Sequence, residues 1–151
     1  MEAVLKTKMG KFYIQFSTKG LSLLSFTIPR KSFVDEGHNP FARKVLKELE
    51  SYFNGELEEF SIDLDLNGTP FQKKVWKRLE KIPYGKTKSY GDIAHELKLN
   101  KGARAIGGAN NKNPVPIIIP CHRVIQADGK LGGYAGGVVL KKKLLKVEGL
   151  N

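Results

Sequence analysis

Alternating apolar and polar positions dominate the first part of the chain. Residues 4–17, VLKTKMGKFYIQFS, and residues 21–28, LSLLSFTI, predict β-strands, and the tripeptide Thr18-Lys19-Gly20 between them predicts a turn. A later alternating stretch, FSIDLDL at residues 60–66, predicts one more strand. The pattern indicates an antiparallel β-meander with one face turned towards a core.

Between these strands the periodicity becomes helical. Residues 39–55, NPFARKVLKELESYFNG, carry apolar side chains every three to four positions. Asn39 suits the N-cap of this helix, Pro40 its first turn and Gly55 its end. Strands and helix together predict a small antiparallel-sheet-plus-helix domain over residues 1–66, a scaffold in which no chemistry is recognisable.

A second predicted helix follows at residues 69–83, TPFQKKVWKRLEKIP. Thr69 and Gln72 are spaced for a capping box at its start. Trp76 is expected to belong to the core beside an apolar stripe. That stripe is predicted to consist of Phe71, Val75, Leu79 and Ile82.

Two short helices with a glycine-containing turn come next. Residues 89–97, SYGDIAHEL, begin with Ser89 as N-cap and Asp92 three residues later, and the turn KLNKG leads to residues 103–111, ARAIGGANN. Such a pair is typical of a helix-turn-helix, although many helical hairpins share the pattern. We therefore predict an α+β protein whose C-terminal domain, residues 67–151, is mostly helical and contains a helix-turn-helix.

The second helix of this pair is unusually bare. Gly107 and Gly108 each cost roughly 1 kcal/mol relative to alanine inside a helix. Ala103 and Ala105 add little more side chain, so that Arg104 stands out. A helix of this kind is expected where another segment packs closely against its backbone or where it enters a nucleic-acid groove.

Charge divides the chain at the same place as periodicity. Residues 1–66 hold 9 Lys/Arg against 10 Asp/Glu, whereas residues 67–151 hold 17 against 5, so the net charge of +11 belongs to the second region. This asymmetry indicates contact with a polyanion, either nucleic acid or an anionic membrane surface. Lysine-rich solubility is the alternative. The charge asymmetry therefore favours entry into a nucleic-acid groove as the reason for the small side chains of the helix at residues 103–111.

Cys121 is the single cysteine of the 151 residues. One cysteine excludes an internal disulfide and a multi-cysteine zinc site, and we expect no metal and no cofactor. The sequence shows no N-terminal apolar leader and no apolar run of ~18 residues. We therefore expect a cytoplasmic protein without a membrane partner.

The surroundings of Cys121 point to chemistry. Pro114, Pro116 and Pro120 predict a stiff, extended and apolar lead-in, where the pKa of a thiol should lie at or above its free value of ~8.5 unless a base or a positive charge intervenes. His122 is the adjacent base. Neighbouring side chains of an extended segment point to opposite faces, so this base should act through a turn or a water. A buried structural thiol is the alternative.

Two further features close the chain. Residues 129–137, GKLGGYAGG, lack the ending of a phosphate-binding loop and are expected to form a flexible lid. The final helix, residues 138–149, ends at Glu148, where the helix dipole disfavours a carboxylate, so a partner such as a histidine is expected. Its predicted buried residues are Val139, Leu140, Leu144 and Val147. Its predicted solvated residues are Lys141, Lys142, Lys143 and Lys146.

Three stretches together resemble the methylated-DNA:protein-cysteine methyltransferases, repair proteins that remove alkyl groups from O6 of guanine. They are ARAIGGA (103–109), NPVPIIIPCHRVI (113–125) and GGYAGG (132–137). The resemblance is dense from Phe71 to Glu148 and weak before it. It implies direct damage reversal in duplex DNA: the alkyl group passes once from O6 of guanine, or from O4 of thymine, to the protein after the base has been flipped out.

The resemblance also implies roles for single residues. Cys121 corresponds to the alkyl acceptor, His122 to the base that acts on it through a water, and Glu148 to the group that orients the imidazole. Tyr90 resembles the tyrosine that protonates the departing guanine and crowds the backbone phosphate. Asn113 matches the asparagine that links the recognition helix to the cysteine loop.

The implied partner is double-stranded DNA containing alkylated guanine, approached by a monomer through the minor groove, which is only ~6 Å wide. Arg104 matches the arginine that fills the gap left by the flipped base. The small residues that would let the helix enter the groove are Ala103, Ala105, Gly107 and Gly108. Val124 and Tyr134 match residues of the guanine pocket, and Ala135 stands where many relatives carry serine.

Three other functions compete with this hypothesis. A non-catalytic relative that only binds alkylated DNA is the nearest, but members of that class replace the cysteine that this chain keeps. A helix-turn-helix regulator would expose long polar side chains for reading the major groove. A cysteine hydrolase would need an oxyanion hole, which the sequence does not show. Arg123 has no implied role, and we expect it to form a structural ion pair.

Overall fold

The computed structural model describes residues 1–32 and 38–150 of the chain. They form two compact units, the first from Met1 to Asn67 and the second from Gly68 onward. The first contains a three-stranded antiparallel sheet and one helix, and the second is mostly helical. The predicted α+β fold is therefore confirmed. None of the helices in the described ranges is long and apolar enough to cross a bilayer.

The sheet of the first unit consists of β1 (Glu2–Thr7), β2 (Gly10–Phe16) and β3 (Leu21–Ser25), paired in that order. The prediction of one strand over residues 4–17 is wrong, because the chain reverses at Lys8 and Met9. A two-residue hairpin loop leaves the alternation of apolar and polar positions intact on both sides, so the pattern alone does not reveal the turn.

Residues 60–66 do not form the predicted strand. Leu64 makes only an isolated parallel bridge to Leu21, whose N–H donates to the Asp63 carbonyl at 2.8 Å. Gly20 allows this approach, since a Cβ there would lie 2.4 Å from the same carbonyl oxygen. The segment therefore touches the end of the sheet at one point rather than extending it.

Helix α1 (Pro40–Phe53) supplies the other half of the first core. The predicted cap is confirmed: Asn39 Oδ1 accepts from the N–H groups of Phe41 at 2.9 Å and Ala42 at 3.1 Å. Helix α1 contacts β1. Its buried face consists of Ala42, Val45, Leu49, Tyr52 and Phe53.

The second unit begins with helix α2 (Pro70–Leu79). Thr69 and Gln72 form the predicted capping box. The predicted apolar stripe is wrong at its first position, since Phe71 is 37% exposed. The remaining stripe positions are buried, together with Trp76.

Helices α3 (Tyr90–Glu96) and α4 (Ala103–Asn111) follow and pack against each other. The predicted capping box at the start of α3 is present between Ser89 and Asp92. Trp76 Nε1 donates at 2.8 Å to a backbone carbonyl of α4, which fixes α4 on α2. The helix-turn-helix pattern is therefore built on a buried core.

The last elements are β4 (Lys88–Ser89), a single 3-10 turn (Cys121–Arg123), β5 (Val124–Ile125) and α5 (Val138–Val147). Strands β4 and β5 pair in parallel, so the residues that follow the cysteine run beside those that precede α3. Helix α5 contacts the 3-10 turn. The cysteine segment is therefore held between the helix-turn-helix and the final helix.

The predicted faces of α5 are confirmed at Leu144, which is buried, and at Lys142, Lys143 and Lys146, which are exposed, whereas Leu140 and Val147 are half-buried. The prediction is wrong at two positions. Val139 is 72% exposed and Lys141 is fully buried, beside the buried Leu144 and Leu145. Hydropathy predicts an exposed lysine because a buried charge is costly. Burial becomes possible when buried carbonyls accept hydrogen bonds from the ammonium, as they do here. The partners of this ammonium belong to the site around Cys121.

Candidate active site

The segment that leads to Cys121 is a compact turn and not the predicted extended lead-in. Asn113 Oδ1 accepts from Val115 N–H at 3.0 Å, and Asn113 Nδ2 donates to the Ile119 carbonyl at 2.9 Å. Ile117 has a φ of +76°, an unfavourable backbone conformation for a β-branched residue. The two bonds of Asn113 brace this strained turn.

Cys121 begins the 3-10 turn and is only 4% exposed. Burial raises the pKa of its thiol to about 11, while a hydrogen bond with Asn113 and the charge of Lys141 act to lower it. The prediction of a pKa at or above the free value is confirmed. At neutral pH the thiol is therefore protonated, and a reaction as a nucleophile requires a base.

His122 and Glu148 form a completely buried pair. His122 Nε2 lies 2.7 Å from Glu148 Oε2, and both side chains have zero exposure. Burial lowers the pKa of His122, while the hydrogen bond and charge of Glu148 act to raise it. A neutral imidazole that donates from Nε2 to the carboxylate carries its lone pair on Nδ1. The histidine partner expected for Glu148 is thus present.

Arg123 occupies the rest of the Glu148 carboxylate. Its Nε donates to Oε1 at 2.9 Å and its Nη2 to Oε2 at 3.1 Å, while Gly85 N–H also donates to Oε1 at 2.9 Å. Arg123 Nη1 donates to the Ile82 carbonyl at 2.7 Å. The structural ion pair expected for Arg123 is confirmed. Since Glu148 is bonded from several directions, it holds the imidazole of His122 in one orientation.

Tyr90, the first residue of α3, is half-buried beside the cysteine. Burial raises the pKa of its hydroxyl, and the neighbouring Cys121 adds to the rise. The glycine-rich loop approaches the same hydroxyl: Gly132 has a φ of +73°, and a Cβ at this position would lie 3.2 Å from Tyr90 Oη. The phenol therefore stays protonated at neutral pH and borders both the cysteine and the loop.

The three predicted pocket residues differ in exposure. Val124 is fully buried directly after the 3-10 turn, Tyr134 is half-buried and Ala135 is exposed. The structure therefore places Val124 inside the second unit and Ala135 at its surface.

The face of α4 predicted to meet DNA is open to solvent. Ala103, Arg104, Ala105 and Gly108 are exposed. A Cβ at Gly108 would meet nothing within 4 Å, and one at Gly107 would reach only the Tyr90 ring, at 4.0 Å. Within the described residues, close packing therefore does not explain Gly108. Entry of this face into a nucleic-acid groove stays a prediction.

Lys141 is the residue of this site that sequence reasoning missed. Its Nζ donates to the carbonyls of Val124 at 2.7 Å and Gly133 at 3.3 Å, and also to that of Leu131. A signal was available: once Glu148 is expected to face inward, the residue two helical turns before it lies on the same face. That residue is Lys141.

Fold and site together define a class of protein: a helix-turn-helix protein with an exposed, slim second helix and a buried cysteine backed by a His–Glu pair. The model of the 6-O-methylguanine DNA methyltransferase DNA binding domain matches residues 70–150. The model of the ribonuclease-like domain of the same family matches residues 1–66. The chain therefore belongs to the 6-O-methylguanine DNA methyltransferase family, and the resemblance seen in its sequence is confirmed.

Individual relatives agree with this assignment. The methylated-DNA–protein-cysteine methyltransferase of Methanosarcina acetivorans is 44% identical over 153 residues, which cover 97% of each chain. The crystal structure of Mycobacterium tuberculosis OGT in complex with DNA matches with a TM-score of 0.87 at 42% identity, covering 97% of this chain and 91% of that one. S. pombe Atl1 in complex with damaged DNA containing O6-carboxymethylguanine matches 56% of this chain and 81% of its own, with a TM-score of 0.50 at 33% identity.

Proposed function

We propose that this protein repairs DNA by accepting an alkyl group from O6 of guanine, or from O4 of thymine, onto Sγ of Cys121. The observation that carries the proposal is the buried Cys121 next to the His122–Glu148 pair, on the same unit as an open helix-turn-helix face. In this proposal residues 1–66 are the scaffold, and residues 67–151 bind DNA and accept the alkyl group.

The first step is removal of the thiol proton. His122 is neutral because its pKa is lowered, so Nδ1 can take the proton of Cys121 through a water molecule. The imidazolium that results is stabilised by the Glu148 carboxylate at 2.7 Å. The low exposure of the pair keeps this charge interaction strong, since little solvent screens it.

In the second step the thiolate attacks the alkyl carbon. A C–S bond forms, the C–O bond to guanine breaks, and its electron pair leaves with guanine. The Tyr90 hydroxyl, protonated because its pKa is raised, supplies a proton to the departing base. The Cys121 product is a thioether without an ionisable proton or an easily displaced group. Each molecule therefore reacts once, without a cofactor.

An alkylated base inside a duplex is out of reach of a buried thiol, so it must be flipped out at a cost of a few kcal/mol. Arg104 lies exposed on α4 and fills the space that the base leaves. The neighbouring Ala103, Ala105, Gly107 and Gly108 let the helix enter the minor groove. The flipped guanine is then received between Val124, Tyr134 and the backbone at Ala135.

The experiment is incubation with duplex DNA that carries one O6-methylguanine, followed by peptide mass mapping. We expect a gain of one methyl group on the peptide that contains Cys121, with saturation at one per protein. The Cys121→Ser variant should gain none and still bind the duplex. Repeated turnover, or a methyl group on another residue, contradicts the proposal.

The alternative function is binding of alkylated DNA without transfer. The likeness to Atl1, whose crystal contains damaged DNA, is the observation that favours it. It would appear in the same experiment as tighter binding to the alkylated duplex than to the unmodified one, with an unmodified Cys121. The retained thiol and its buried base argue for transfer.

A further inference from the structure

The burial of Lys141 is not explained by the alkyl-transfer steps above. The next two lysines of α5, Lys142 and Lys143, are exposed, whereas Lys141 has zero exposure. A buried ammonium is costly unless its three protons meet acceptors. The three acceptors of Lys141 are all backbone carbonyls, so its role is to join segments of the chain rather than to pair with a carboxylate.

The carbonyls come from two segments. Val124 directly follows the 3-10 turn of Cys121, whereas Leu131 and Gly133 belong to the glycine-rich loop that leads to Tyr134. The ammonium of Lys141 therefore connects Val124, just after the cysteine segment, with the glycine-rich loop. Both are attached to α5, which carries Lys141.

Three glycines of this loop are not closely packed. A Cβ placed on Gly129, Gly133 or Gly137 would meet nothing within 4 Å. The backbone bonds near its ends are local: Gln126 N–H donates to the Lys130 carbonyl, and Gly137 N–H to that of Tyr134, each at 2.9 Å. These backbone bonds join residues within the loop itself, whereas Lys141 joins the loop to Val124 and to α5.

Helix α5 thus holds the site at two points. Lys141 and Glu148 are separated by two helical turns and lie on one face. Glu148 fixes His122 and Arg123, which belong to the 3-10 turn, and Lys141 fixes the chain that follows the turn. The positive charge of Lys141 also acts to lower the pKa of Cys121 against the effect of burial.

We propose that Lys141 is a positioning residue that holds the glycine-rich loop against the cysteine segment, so that Tyr134 and the backbone of Ala135 form a wall of the guanine pocket before substrate arrives. The inference rests on the proposed function, because the alkylated guanine is what the wall receives. A loop held in advance saves the entropy of ordering it on binding. Loss of Lys141 should therefore weaken capture of the base more than the transfer step.

The test compares Lys141→Met, which keeps an unbranched apolar stem and removes the terminal ammonium, with the exposed control Lys142→Met. Single-turnover reaction with free O6-benzylguanine should show a half-saturating concentration at least tenfold higher in Lys141→Met, with a smaller fall in the maximal rate. Amide hydrogen exchange should accelerate at residues 126–137 and stay unchanged at α2. The Lys142→Met control should match the wild type in both.

Two outcomes overturn the proposal: a half-saturating concentration within twofold of the wild type, or exchange that accelerates equally throughout the second unit, as general destabilisation would produce. Hydrogen exchange also distinguishes a failure of the Lys141 proposal from a failure of the proposed function. A wild type that fails to alkylate Cys121 removes the proposed function, while faster exchange confined to the loop of Lys141→Met would still support its role as an anchor.

If Lys141→Met does not fold, the wild type still provides a test. Reductive methylation with formaldehyde and borohydride, followed by peptide mapping, should modify Lys142 and Lys143 and leave Lys141 unmodified in the native protein. After denaturation all three should react. Equal modification of Lys141 and its neighbours in the native state would overturn the inference.

Discussion

The two units of this protein differ most in what they bury. Within the described ranges, the core of the first unit is apolar, whereas each of the five buried polar or charged residues lies in the second. These five are Asn110, His122, Arg123, Lys141 and Glu148. Burying charge lowers stability unless every group is paired. In the second unit the buried charges lie where the proposed chemistry needs a base shielded from water and an oriented loop. The first unit has no such chemistry and buries an apolar core.

Surface charge follows the same division. The first 66 residues are nearly neutral, while the remainder carries the excess of lysine and arginine. The second unit therefore combines a basic exterior with a charged interior, a combination that suits contact with DNA outside and proton transfer inside. If the division holds in solution, substitutions in the two units should differ in what they change.

The largest effect is expected from Glu148→Gln. Removing one partner of a buried ion pair leaves Arg123 uncompensated and should cost about 3–5 kcal/mol of stability. Because the carboxylate also acts to raise the pKa of His122, its loss makes the imidazole a weaker base, and the rate of transfer should fall on the order of 10–100-fold. Chemical unfolding and single-turnover kinetics measure the two losses.

The matched control is Glu96→Gln. Glu96 pairs with two cations, Arg78 and Lys88, and its side chain is 20% exposed, whereas that of Glu148 has zero exposure. Solvent reaches these partly exposed pairs, and surface pairs contribute about 0–1 kcal/mol, so this variant should lose much less stability than Glu148→Gln and react almost as the wild type does. If both variants lose the same stability, the contrast between buried and exposed charge does not hold here.

The second prediction tests the first unit through Leu49→Ala. Leu49 has zero exposure in an apolar core, so the cavity should cost about 2–5 kcal/mol. The rate of alkyl transfer per folded molecule should not change, because the site lies in the other unit. Trp76, the single tryptophan, is buried in the second unit and reports its unfolding by fluorescence, while hydrogen exchange of α1 reports the first.

A coincident shift of both signals in Leu49→Ala would mean that the two units unfold together. A shift confined to α1 would mean that they are independent. A fall in the rate of transfer per folded molecule would contradict the scaffold role of residues 1–66 in either case. Lys47→Ala, on the exposed side of the same helix, is the control for effects of substitution alone.

The third prediction concerns the exterior. Arg104→Ala should slow reaction with an O6-methylguanine duplex about tenfold and leave reaction with the free alkylated base within twofold, because only the duplex leaves a gap to fill. Lys112→Ala removes an exposed charge just beyond α4 and should affect both substrates little. Equal losses of Arg104→Ala on both substrates would remove the role in base flipping.

The sequence predicted the caps of α1, α2 and α3, because Asn39, Thr69 and Ser89 act on residues two or three positions away. Local chemistry of that range is visible in a sequence. The hairpin at Lys8 and Met9 was missed because a two-residue loop preserves alternation, so periodicity carries no trace of it.

At the site, the sequence indicated Cys121, His122 and the need of Glu148 for a partner, since each stands out by type or position. The compact turn before Cys121 was missed because it depends on two bonds of Asn113 to residues up to six positions on. Lys141 was missed because its partners are carbonyls, which every residue has and no sequence pattern marks. Its spacing of two helical turns from Glu148 was the available signal, but no recognisable partner side chain supported it.

The smallest effect is the dependence of stability on pH. Burial lowers the pKa of His122 in the folded protein. As pH falls through ~6.5, the imidazole is therefore protonated in the unfolded chain while it is still neutral in the folded one. Stability contributed by the neutral imidazole is complete above that pH and is lost below it, by up to about 1.4 kcal/mol for each pH unit until the folded pKa is reached. Unfolding followed by Trp76 fluorescence at pH 7.5, 6.5 and 5.5 measures this loss. The His122→Gln variant should lose this part of the pH dependence, whereas the control His95→Gln, at an exposed position of α3, should keep it. If His122→Gln keeps the dependence and His95→Gln loses it, the acid sensitivity lies outside the buried cluster. That result would weaken the contrast between the two units.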